Sequence, residues 1–420
     1  AEQWEDGGRR DHSASDDLFV WGTGSYSPSE DVEASVSFQV SDGSREVPAQ
    51  TNSDRPRFWD FPYWRESRAI GSVAWTPAAG VFLEAKAFGS TNDNRLVAYR
   101  DPDRTEIQWV STVSNRAFGG YLLADIRALA DHRLSAGLNA RRDHADLQSD
   151  TGLPWKRYEA TTFSAFGQDV IRLGSRDRVS VAANLDIMSG EDRLLASVNP
   201  QAAWTRTFGE GMAVRLLAGL KTRFPTLKEW FSAEIGNPDL DPERCVSAEV
   251  ELSKRMPSGS GFSLLAYEQR VRDMIVSTGW GDTAENVGSV TSRGAELGVT
   301  HRLSRSLSLD ITLAMTRARD DESGVDVEYV PKTMSRFELG YAPGPWRLTG
   351  HLTRIGSRRG RWGESLSPHV VIGARASVDT RYGAVFASVE NLTDELYEDE
   401  SGFPQPGRSF EIGIMRELGN

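Results

Sequence analysis

The sequence has little cysteine and histidine for its length. Cys245 is the one cysteine in 420 residues, which excludes an internal disulfide framework and a zinc site built from thiolates. The 6 histidines are dispersed and show no paired spacing such as His-x-x-x-His, so the sequence predicts neither a zinc site nor a haem ligand. We therefore expect no resident metal and no cofactor.

Long apolar runs are also missing. No stretch of ~18 consecutive apolar residues occurs, which excludes a membrane-spanning helix. Hydrophobic residues make up 39% of the chain and the mean hydropathy is -0.45. These values are usual for a soluble protein, but they also allow a membrane barrel, because only every second strand residue must be apolar when the interior is wet.

An excess of basic residues is absent as well. The net charge is -12, which argues against nucleic acid as a partner, since phosphate binding requires a basic surface. No Gly-x-Ser-x-Gly elbow occurs, and no hydrolytic site is predicted; we do not expect an enzyme. Residues 1–17 lack the apolar stretch of an export signal, so a signal, if used, has already been removed.

What the sequence does contain is alternation. In Ser306–Thr316, Leu307, Leu309, Ile311 and their i+2 successors share one parity, and small or polar residues share the other. Side chains of a strand point alternately to its two faces, so this segment is predicted as a strand with one apolar face. The pattern recurs around Val179–Ile187, Val214–Leu220, Val246–Leu252, Ala295–Leu303 and Phe410–Ile414.

The connections between these strands alternate between short and long. Tight turns are predicted at 76–80, 208–211, 304–305, 342–345 and 380–383, and long loops at 42–67, 91–104, 142–156, 223–244, 318–331, 357–367 and 392–406. The predicted fold is all-β: a large antiparallel transmembrane β-barrel of about 19–22 strands, with short periplasmic turns and long extracellular loops. Residues 105–127 fit one strand or two. A soluble β-sandwich is the alternative.

Five motifs in the second half of the chain occur in the order and spacing of a known family. They are Phe224-Pro225-Thr226-Leu227-Lys228-Glu229, Gly236-Asn237-Pro238-Asp239-Leu240-Asp241-Pro242-Glu243, Arg293-Gly294-Ala295-Glu296-Leu297, Val389-Glu390-Asn391-Leu392-Thr393-Asp394 with Tyr397, and Pro406-Gly407-Arg408-Ser409-Phe410. Together they resemble the TonB-dependent outer-membrane receptors. We take Pro225, Asn237, Pro238, Asn391, Leu392, Gly407 and Arg408 as the family-motif residues.

The resemblance implies a barrel of about 22 strands in the bacterial outer membrane that imports a scarce nutrient, such as a ferric siderophore, haem or cobalamin, with energy delivered through TonB. The chain looks most similar to the cobalamin and siderophore importers. Family members carry a plug domain ahead of the barrel, and nothing in this sequence resembles it. We therefore expect residues 1–16 to be a loop segment and residues 17–420 to be a single barrel domain, with the plug and first strand lying elsewhere or missing.

Aromatic and arginine side chains in the predicted outward loops are the candidates for ligand binding, because flat rings and guanidinium groups suit an anionic or aromatic chelate. The candidates are Arg55, Arg57, Phe58, Trp59, Phe61, Tyr63, Trp64, Trp230, Arg358, Arg361 and Trp362. The last three lie in a basic cluster for which a solvated or lipopolysaccharide-facing patch is the alternative. The expected partners are TonB, a plug domain, a small-molecule chelate, the lipid bilayer and lipopolysaccharide.

Polar residues on the inward parity are predicted to line the barrel lumen. They are Arg215, Lys221, Glu249, Glu251, Glu296, Asp310 and Arg375. A plugless passive pore shares this pattern and is the runner-up function; a barrel-based enzyme or a soluble binding sandwich is a third possibility. Liposome conductance separates an importer from an open pore, because an importer that contains its plug conducts little.

Overall fold

The computed structural model describes residues 2–6, 10–190, 193–232, 235–276 and 283–415. In chain order the first elements are β1 Glu2–Asp6, β2 Ser15–Ser29, β3 Val32–Val47, β4 Phe58–Ala78, β5 Val81–Tyr99, β6 Ile107–Leu129, β7 His132–Gln148, β8 Lys156–Leu173, β9 Asp177–Gly190, β10 Arg193–Thr207, a 3-10 turn Gly209–Gly211, β11 Met212–Arg223, α1 Leu227–Phe231, β12 Glu243–Arg255 and β13 Gly261–Arg272. The remaining elements are β14 Ile275–Val276, β15 Glu285–Asn286, β16 Ser289–Arg302, β17 Leu307–Asp320, β18 Thr333–Tyr341, β19 Trp346–Ile355, β20 Arg358–Arg359, β21 Ser365–Leu366, β22 His369–Thr380, β23 Gly383–Glu390, β24 Glu398–Glu400, β25 Phe403–Pro404 and β26 Ser409–Met415.

The chain divides into two compact units. The first comprises Ala1–Ala203, Gly219–Cys245 and Arg272–Val287, and the second comprises Trp204–Ala218, Val246–Val271 and Gly288–Asn420. The main sheet has 20 strands within the described ranges, in agreement with the expected number. No helix in those ranges is both long and apolar enough to cross a membrane.

Unit 1 contains an antiparallel meander in which each strand from β2 to β9 pairs with the next. The two faces of each strand differ as the alternation predicts. On β3, Val36 and Phe38 are exposed on one face, whereas Ser35 lies on the other and bonds the hydroxyl of Ser72 on β4 at 2.7 Å. Strands of this kind have one face for apolar surroundings and one for polar contacts.

Unit 2 contains the strand that showed the clearest alternation. β17 pairs with β16 over thirteen positions, with Leu297 opposite Leu313 and Gly298 opposite Thr312. The meander continues through β18, β19, β22, β23 and β26, all antiparallel. The predicted strand and its apolar face are confirmed, since Met315 on that face is exposed.

The short connections agree with the sequence prediction, and the long connections in unit 1 between β3 and β8 are shorter than predicted. Residues 342–345 separate β18 from β19 as expected, and Gly80, with φ 79°, turns the chain between β4 and β5. The segment 105–127, which fitted one strand or two, contains a single strand, β6, which begins at Ile107 and continues to Leu129. The predicted loop 42–67 was wrong at both ends, because β3 continues to Val47 and β4 begins at Phe58.

Three smaller corrections concern residues predicted as loop. Glu2–Asp6 forms β1 and pairs with Ser15–Phe19, so residues 1–16 are not loop throughout. The segment 357–367 contains the β20–β21 pair, and 392–406 contains the β24–β25 pair. In each case short runs of backbone pairing satisfy hydrogen-bonding groups that periodicity over so few residues cannot reveal. Trp280 lies outside the described residues, as do residues 416–420, which follow the predicted strand around Phe410–Ile414.

Candidate ligand-binding site

A cavity of about 870 Å³ lies in unit 1, against the polar face of β4 to β8. Its wall combines aromatic rings with polar side chains, among them Trp59, Phe61, Glu66, Arg68, Asn92, Asn94, Trp109, Arg141, Asp143, Tyr158, Thr226, Lys228 and Ser232. The size and the mixture of aromatic surface with a few polar groups are typical of a site for a small molecule. Four residues of the opposite parity, Ser67, Thr91, Arg116 and His144, also border the cavity and form one lateral row across the strands.

Aromatic rings from two strands form one part of the wall. Trp59 on β4 and Trp109 on β6 meet edge to face, with ring centroids 6.2 Å apart. The guanidinium carbon of Arg57 lies 5.1 Å from the centroid of the Trp59 ring, a cation–π distance. β4 carries these aromatic residues as a strand because rings pack well on a pleated surface. The result is a flat, polarisable surface at the cavity.

A hydrogen-bonded polar network forms a second part of the wall. Glu66 accepts hydrogen bonds from Trp64 Nε1 at 2.8 Å and from Asn92 Nδ2 at 2.9 Å, and Asn94 donates to Asn92 at 2.9 Å. Arg141 donates to Asp143 through Nε at 2.9 Å and Nη2 at 2.6 Å. These mutual bonds fix the orientation of the side chains, so the network presents donors and acceptors in set positions.

The cavity wall has a small excess of positive charge. Its acidic side chains are Glu66 and Asp143, and its basic side chains on the same face include Arg68 and Arg141, with Lys228 added from the loop. Arg68 lies opposite Ser90 on β5 and is exposed toward the cavity. A negatively charged ligand is therefore favoured over a positively charged one.

The segment 224–241 closes one side of the cavity through Thr226, Lys228 and Ser232. It contains helix α1, whose first turn is fixed by a capping box between Thr226 and Glu229. Burial raises the pKa of Glu229, but hydrogen bonds from Arg223 and Thr226 outweigh this effect and hold the pKa below its usual value. Glu229 therefore stays ionised and keeps the turn in place.

A buried cluster anchors this segment to the strands. Trp230 is 1% exposed and packs with Ala160, Met188 and Leu195. Its indole Nε1 donates to the carbonyl of Pro238 at 3.0 Å. The sequence prediction that Trp230 contacts ligand is corrected here: the ring is enclosed by other side chains and positions the cavity wall from behind.

Several family-motif residues hold loops in place through hydrogen bonds or burial. The Asn237 amide donates to the carbonyl of Ala284 at 2.8 Å, and Pro225 is fully buried. Asn391, with φ 50°, donates to the carbonyl of Glu395 at 2.9 Å. The Arg408 backbone donates to Asp394 at 2.9 Å. Leu392 is exposed and Gly407 is buried.

The aromatic and arginine residues between Arg55 and Arg65 have different surroundings in the structure. Trp59 and Phe61 line the cavity, whereas Arg55 and Arg57 lie in the shortened loop. The other ring-bearing candidates lie on β4 with partners of their own: Arg65 lies over Tyr63, Arg45 lies over Trp64, and Phe58 pairs with Tyr99. Their assignment to ligand binding stays a prediction.

The second cluster lies in unit 2 and is heterogeneous. The Arg358 side chain is 4% exposed and donates to the carbonyls of Glu398 and Asp399 and to the Asp399 carboxylate. Trp362 is 76% exposed, and Arg361 lies over its ring at 5.5 Å. The expectation that Arg358 faces ligand is therefore corrected: it is buried and joins two loops. Arg361 and Trp362 stay candidates for a surface contact.

The predicted lumen residues lie on strands as expected, and their role stays a prediction. Asp310 accepts a hydrogen bond from Thr300 at 2.6 Å and lies opposite Glu338. The Arg375 guanidinium lies 3.8 Å from the centroid of the Phe386 ring. Arg215, Lys221 and Glu296 are exposed, and Glu249 and Glu251 are half-buried.

Sequence reasoning missed Trp109, Tyr158, Arg68 and Lys228 as parts of one site. Each lies on a different strand or loop, and the lateral register that brings them together is not visible in a single sequence. Tyr158 and Ala160 share the inward parity of β8, which was the signal available. Trp109 lies on the inward parity of β6 and lines the cavity.

Antiparallel strands with one apolar and one polar face, and a cavity on the polar face, are typical of a membrane β-barrel protein. The family model described as "TonB dependent receptor-like, beta-barrel" matches residues 3–392. The chain belongs to that family. The predicted fold class, family and outer-membrane location are confirmed by this match, and the β-sandwich alternative is wrong.

Known proteins with related sequence or structure have low identity to this chain. The "Iron-regulated outer membrane virulence protein" of Vibrio cholerae serotype O1 is 22% identical over 353 residues, which cover 72% of this chain and 51% of that protein. The chain thus spans about half the length of the curated relatives it matches. The solved "Copper transporter OprC" has a TM-score of 0.82 at 19% identity, covering 95% of this chain and 72% of that chain. The FrpB iron transporter from Neisseria meningitidis has a TM-score of 0.77 at 13% identity, covering 98% and 74%.

Proposed function

We propose that the protein takes part in the uptake of a small metal chelate across the outer membrane, and that the cavity in unit 1 binds the chelate. The observation that carries the proposal is the cavity itself, where Trp59, Trp109 and Tyr158 face a hydrogen-bonded network and a small excess of positive charge. An anionic chelate with a flat aromatic or conjugated surface suits those groups. The similar proteins are named for iron and copper, and we therefore favour a siderophore-type chelate over cobalamin.

The energy source and the gate are further parts of the proposal. Membership of the family supports coupling to TonB and control of the barrel by a plug domain. We propose that residues 17–420 act as one barrel domain. The polar side chains predicted for the lumen, such as Glu296 and Arg375, would then contact the plug or the passing chelate.

Uptake assays in a strain without other iron importers test the cavity assignment. Radioactive iron is supplied as a panel of ferric catecholate and ferric hydroxamate chelates, and the best-transported chelate is used for the variants. Trp59→Ala and Arg57→Ala should lower uptake about tenfold, as expected for loss of a central aromatic anchor. Trp362→Ala is the matched control, since that ring is exposed in unit 2. Unchanged uptake by Trp59→Ala, with normal barrel assembly, would contradict the assignment.

A plugless passive pore is the second candidate function, because the alternation of strand faces is common to both. Conductance in planar bilayers separates the two functions. We expect the full-length protein with its plug to conduct little, whereas a steady large conductance would favour the pore.

A further inference from the structure

The short turns of unit 2 lie together at one end of its strands. They connect β10 to β11, β12 to β13, β16 to β17, β18 to β19 and β22 to β23. Alternate connections of an antiparallel meander lie at the same end of the strands, so these five turns form one edge. In an outer-membrane barrel the short turns face the periplasm and the long loops face outward. We therefore assign this edge to the periplasmic side.

Contacts between neighbouring turns make this edge a continuous surface. The backbone N–H of Arg302, at the end of β16, donates to the hydroxyl of Ser260 in the β12–β13 turn at 3.0 Å. A Cβ at Gly259 would lie 2.7 Å from Arg302 Nε, so the Arg302 side chain lies directly against that turn. The N–H of Ala342 donates to the carbonyl of Ser306 at 2.8 Å and joins the next two turns. These contacts fix the positions of the turns relative to one another.

The charge of this edge is mostly positive. Counted with one strand residue on each side, the five short turns contain four basic residues and one acidic residue, Glu210. The basic residues, which we call the basic rim, are Arg255, Arg302, Arg305 and Arg381. All four are exposed, and among the residues that the structure describes no carboxylate forms an ion pair with them.

Other charges beside the basic rim neutralise one another. Lys254 Nζ lies 3.7 Å from Glu210 Oε2 across two neighbouring turns. Arg347 donates to Asp379 through Nη1 at 3.3 Å and through Nη2 at 2.8 Å. Since these carboxylates already have cationic partners, the charge of the four rim arginines is left uncompensated.

The opposite end of unit 2 has the opposite balance of charge. Counted in the same way, its three long connections, 321–332, 356–368 and 391–408, contain twelve acidic and five basic residues. The whole chain has a net charge of -12. The positive charge of the basic rim is therefore a local property of the short-turn end, and it favours a partner that is negatively charged.

The spacing of the rim arginines favours an extended partner. Successive short turns are two strand spacings apart, roughly 10 Å, so their guanidinium groups act as separate sites. A guanidinium can bind a carboxylate through two parallel N–H donors. A polymer with carboxylates repeated along its length can therefore contact several turns at once, and contacts that are individually weak then add.

We propose that the basic rim binds peptidoglycan, the periplasmic polymer whose peptide stems carry repeated carboxylates. Arg305 and Arg381 lie within their turns and contact the polymer first, and Arg255 and Arg302 at the strand ends add further contacts. The Arg381 guanidinium lies 4.5 Å from the centroid of the exposed Tyr382 ring, which orients it without neutralising its charge. The proposal rests on the orientation of the barrel and is independent of the transported chelate.

Cosedimentation of the purified full-length protein with purified peptidoglycan sacculi in detergent solution tests the proposal. We expect binding that weakens as salt rises, because exposed charge pairs are screened by salt. Sacculi whose carboxylates have been amidated keep the glycan but lose the negative charge. The protein should bind them at least about fivefold more weakly than untreated sacculi.

Variants at the two ends of unit 2 test the assignment to the basic rim. The double variant Arg305→Gln/Arg381→Gln removes two rim charges and should bind sacculi about fivefold more weakly. Arg361→Gln/Arg408→Gln is the matched control, because both arginines are exposed in the long connections at the other end. It should bind sacculi as the unsubstituted protein does.

A variant with the opposite expected effect distinguishes a binding surface from charges that only stabilise the turns. Glu210→Gln removes a carboxylate whose side chain is 88% exposed and releases Lys254 from its ion pair. Affinity for sacculi should therefore rise about twofold, whereas charges that only stabilise the turns would leave binding unchanged. Heat-modifiable migration on gels confirms that each variant folds; if the double variant at the rim does not fold, Glu210→Gln and the amidated sacculi decide the matter.

Several results would overturn the proposal. Equal binding to untreated and amidated sacculi would show contact with the glycan alone. Equal losses in the two double variants would remove the assignment to the short-turn end. Complete competition by phosphatidylglycerol vesicles would assign the basic rim to phosphate groups instead of carboxylates. Failure of the unsubstituted protein to bind sacculi at low salt would contradict the choice of peptidoglycan and favour an acidic periplasmic protein as the partner.

Discussion

Two clusters of arginine and tryptophan have similar composition but different surroundings. In unit 1, Trp59 lines a cavity and Arg57 lies over its ring. In unit 2, Arg358 is buried against the carbonyls of Glu398 and Asp399, and the nearby Trp362 is exposed. The comparison shows that composition identifies segments rich in binding chemistry, whereas burial and partners decide which side chains remain available to a ligand.

The largest expected effect is the loss of stability when the buried Trp230 is replaced, compared with the exposed Trp362. Replacing Trp230 with alanine should destabilise unit 1 by about 3–5 kcal/mol, because the ring fills a buried cluster and donates to Pro238. Urea unfolding of the protein reconstituted in lipid, followed by fluorescence or circular dichroism, measures the change. Trp362→Ala, at an exposed position, should change the free energy of unfolding by less than about 0.5 kcal/mol. Equal effects of the two substitutions would contradict the assigned environments.

The arginines of the second cluster give the next largest effect. Arg358→Ala leaves two carbonyls without their donor in a buried site, which should cost about 1–3 kcal/mol. The loss should appear as faster proteolysis and faster amide exchange within 392–406. Arg361→Ala serves as the control because Arg361 lies over the exposed Trp362 ring. If Arg361→Ala loosened that segment as much as Arg358→Ala, Arg358 would not be the anchor.

Charge reversal compares the cavity with the exposed cluster. Arg68→Glu reverses a charge at the cavity wall, so binding of an anionic ferric chelate should weaken about tenfold, equivalent to about 1.4 kcal/mol. Arg361→Glu makes the same change in unit 2 and should leave binding unchanged. Fluorescence titration with the best-transported chelate measures both. Weaker binding in Arg361→Glu alone would move the site to the second cluster.

The smallest effect concerns an ion pair in the loop between β17 and β18. Hydrogen bonds from Lys332 and Arg319 hold the pKa of Asp326 below its usual value. A depressed folded-state pKa stabilises the fold above the unfolded value of about 3.9, and this contribution is lost as pH falls through the folded-state pKa. Asp326→Asn should therefore lower stability by at most about 1 kcal/mol at pH 7. The difference from the unsubstituted protein should vanish in acid; a constant difference at all pH values would contradict the ion-pair explanation.

Much of the fold could be predicted because it depends on local alternation. The parity of Leu307–Met315 predicted β17 and its apolar face, and the small residues at 342–345 predicted a turn. The ends of the strands could be predicted less well. Phe58 and Trp59 extend β4 because they pair with β3 and β5 across a bulge, and such pairing depends on residues distant in sequence.

The candidate site could be predicted only in part for the same reason. Trp59 and Phe61 were identified from their composition, whereas Trp109 and Tyr158 join them through lateral register. Trp230 was misjudged because a tryptophan in a loop has the same sequence signal whether it faces solvent or a core. The buried side of segment 224–241 depends on Ala160, Met188 and Leu195 of other strands.

Chemical blocking of the cavity tests the central claim most directly. In a Cys245→Ser background, cysteine is introduced at Ser90, on the cavity face of β5, or at Ala87, on its other face. After labelling with a bulky membrane-permeable maleimide, uptake of the best-transported ferric chelate is measured. We predict that labelling at Ser90 abolishes uptake while labelling at Ala87 does not. Full uptake with Ser90 labelled to completion would contradict the assignment of the cavity as the chelate site.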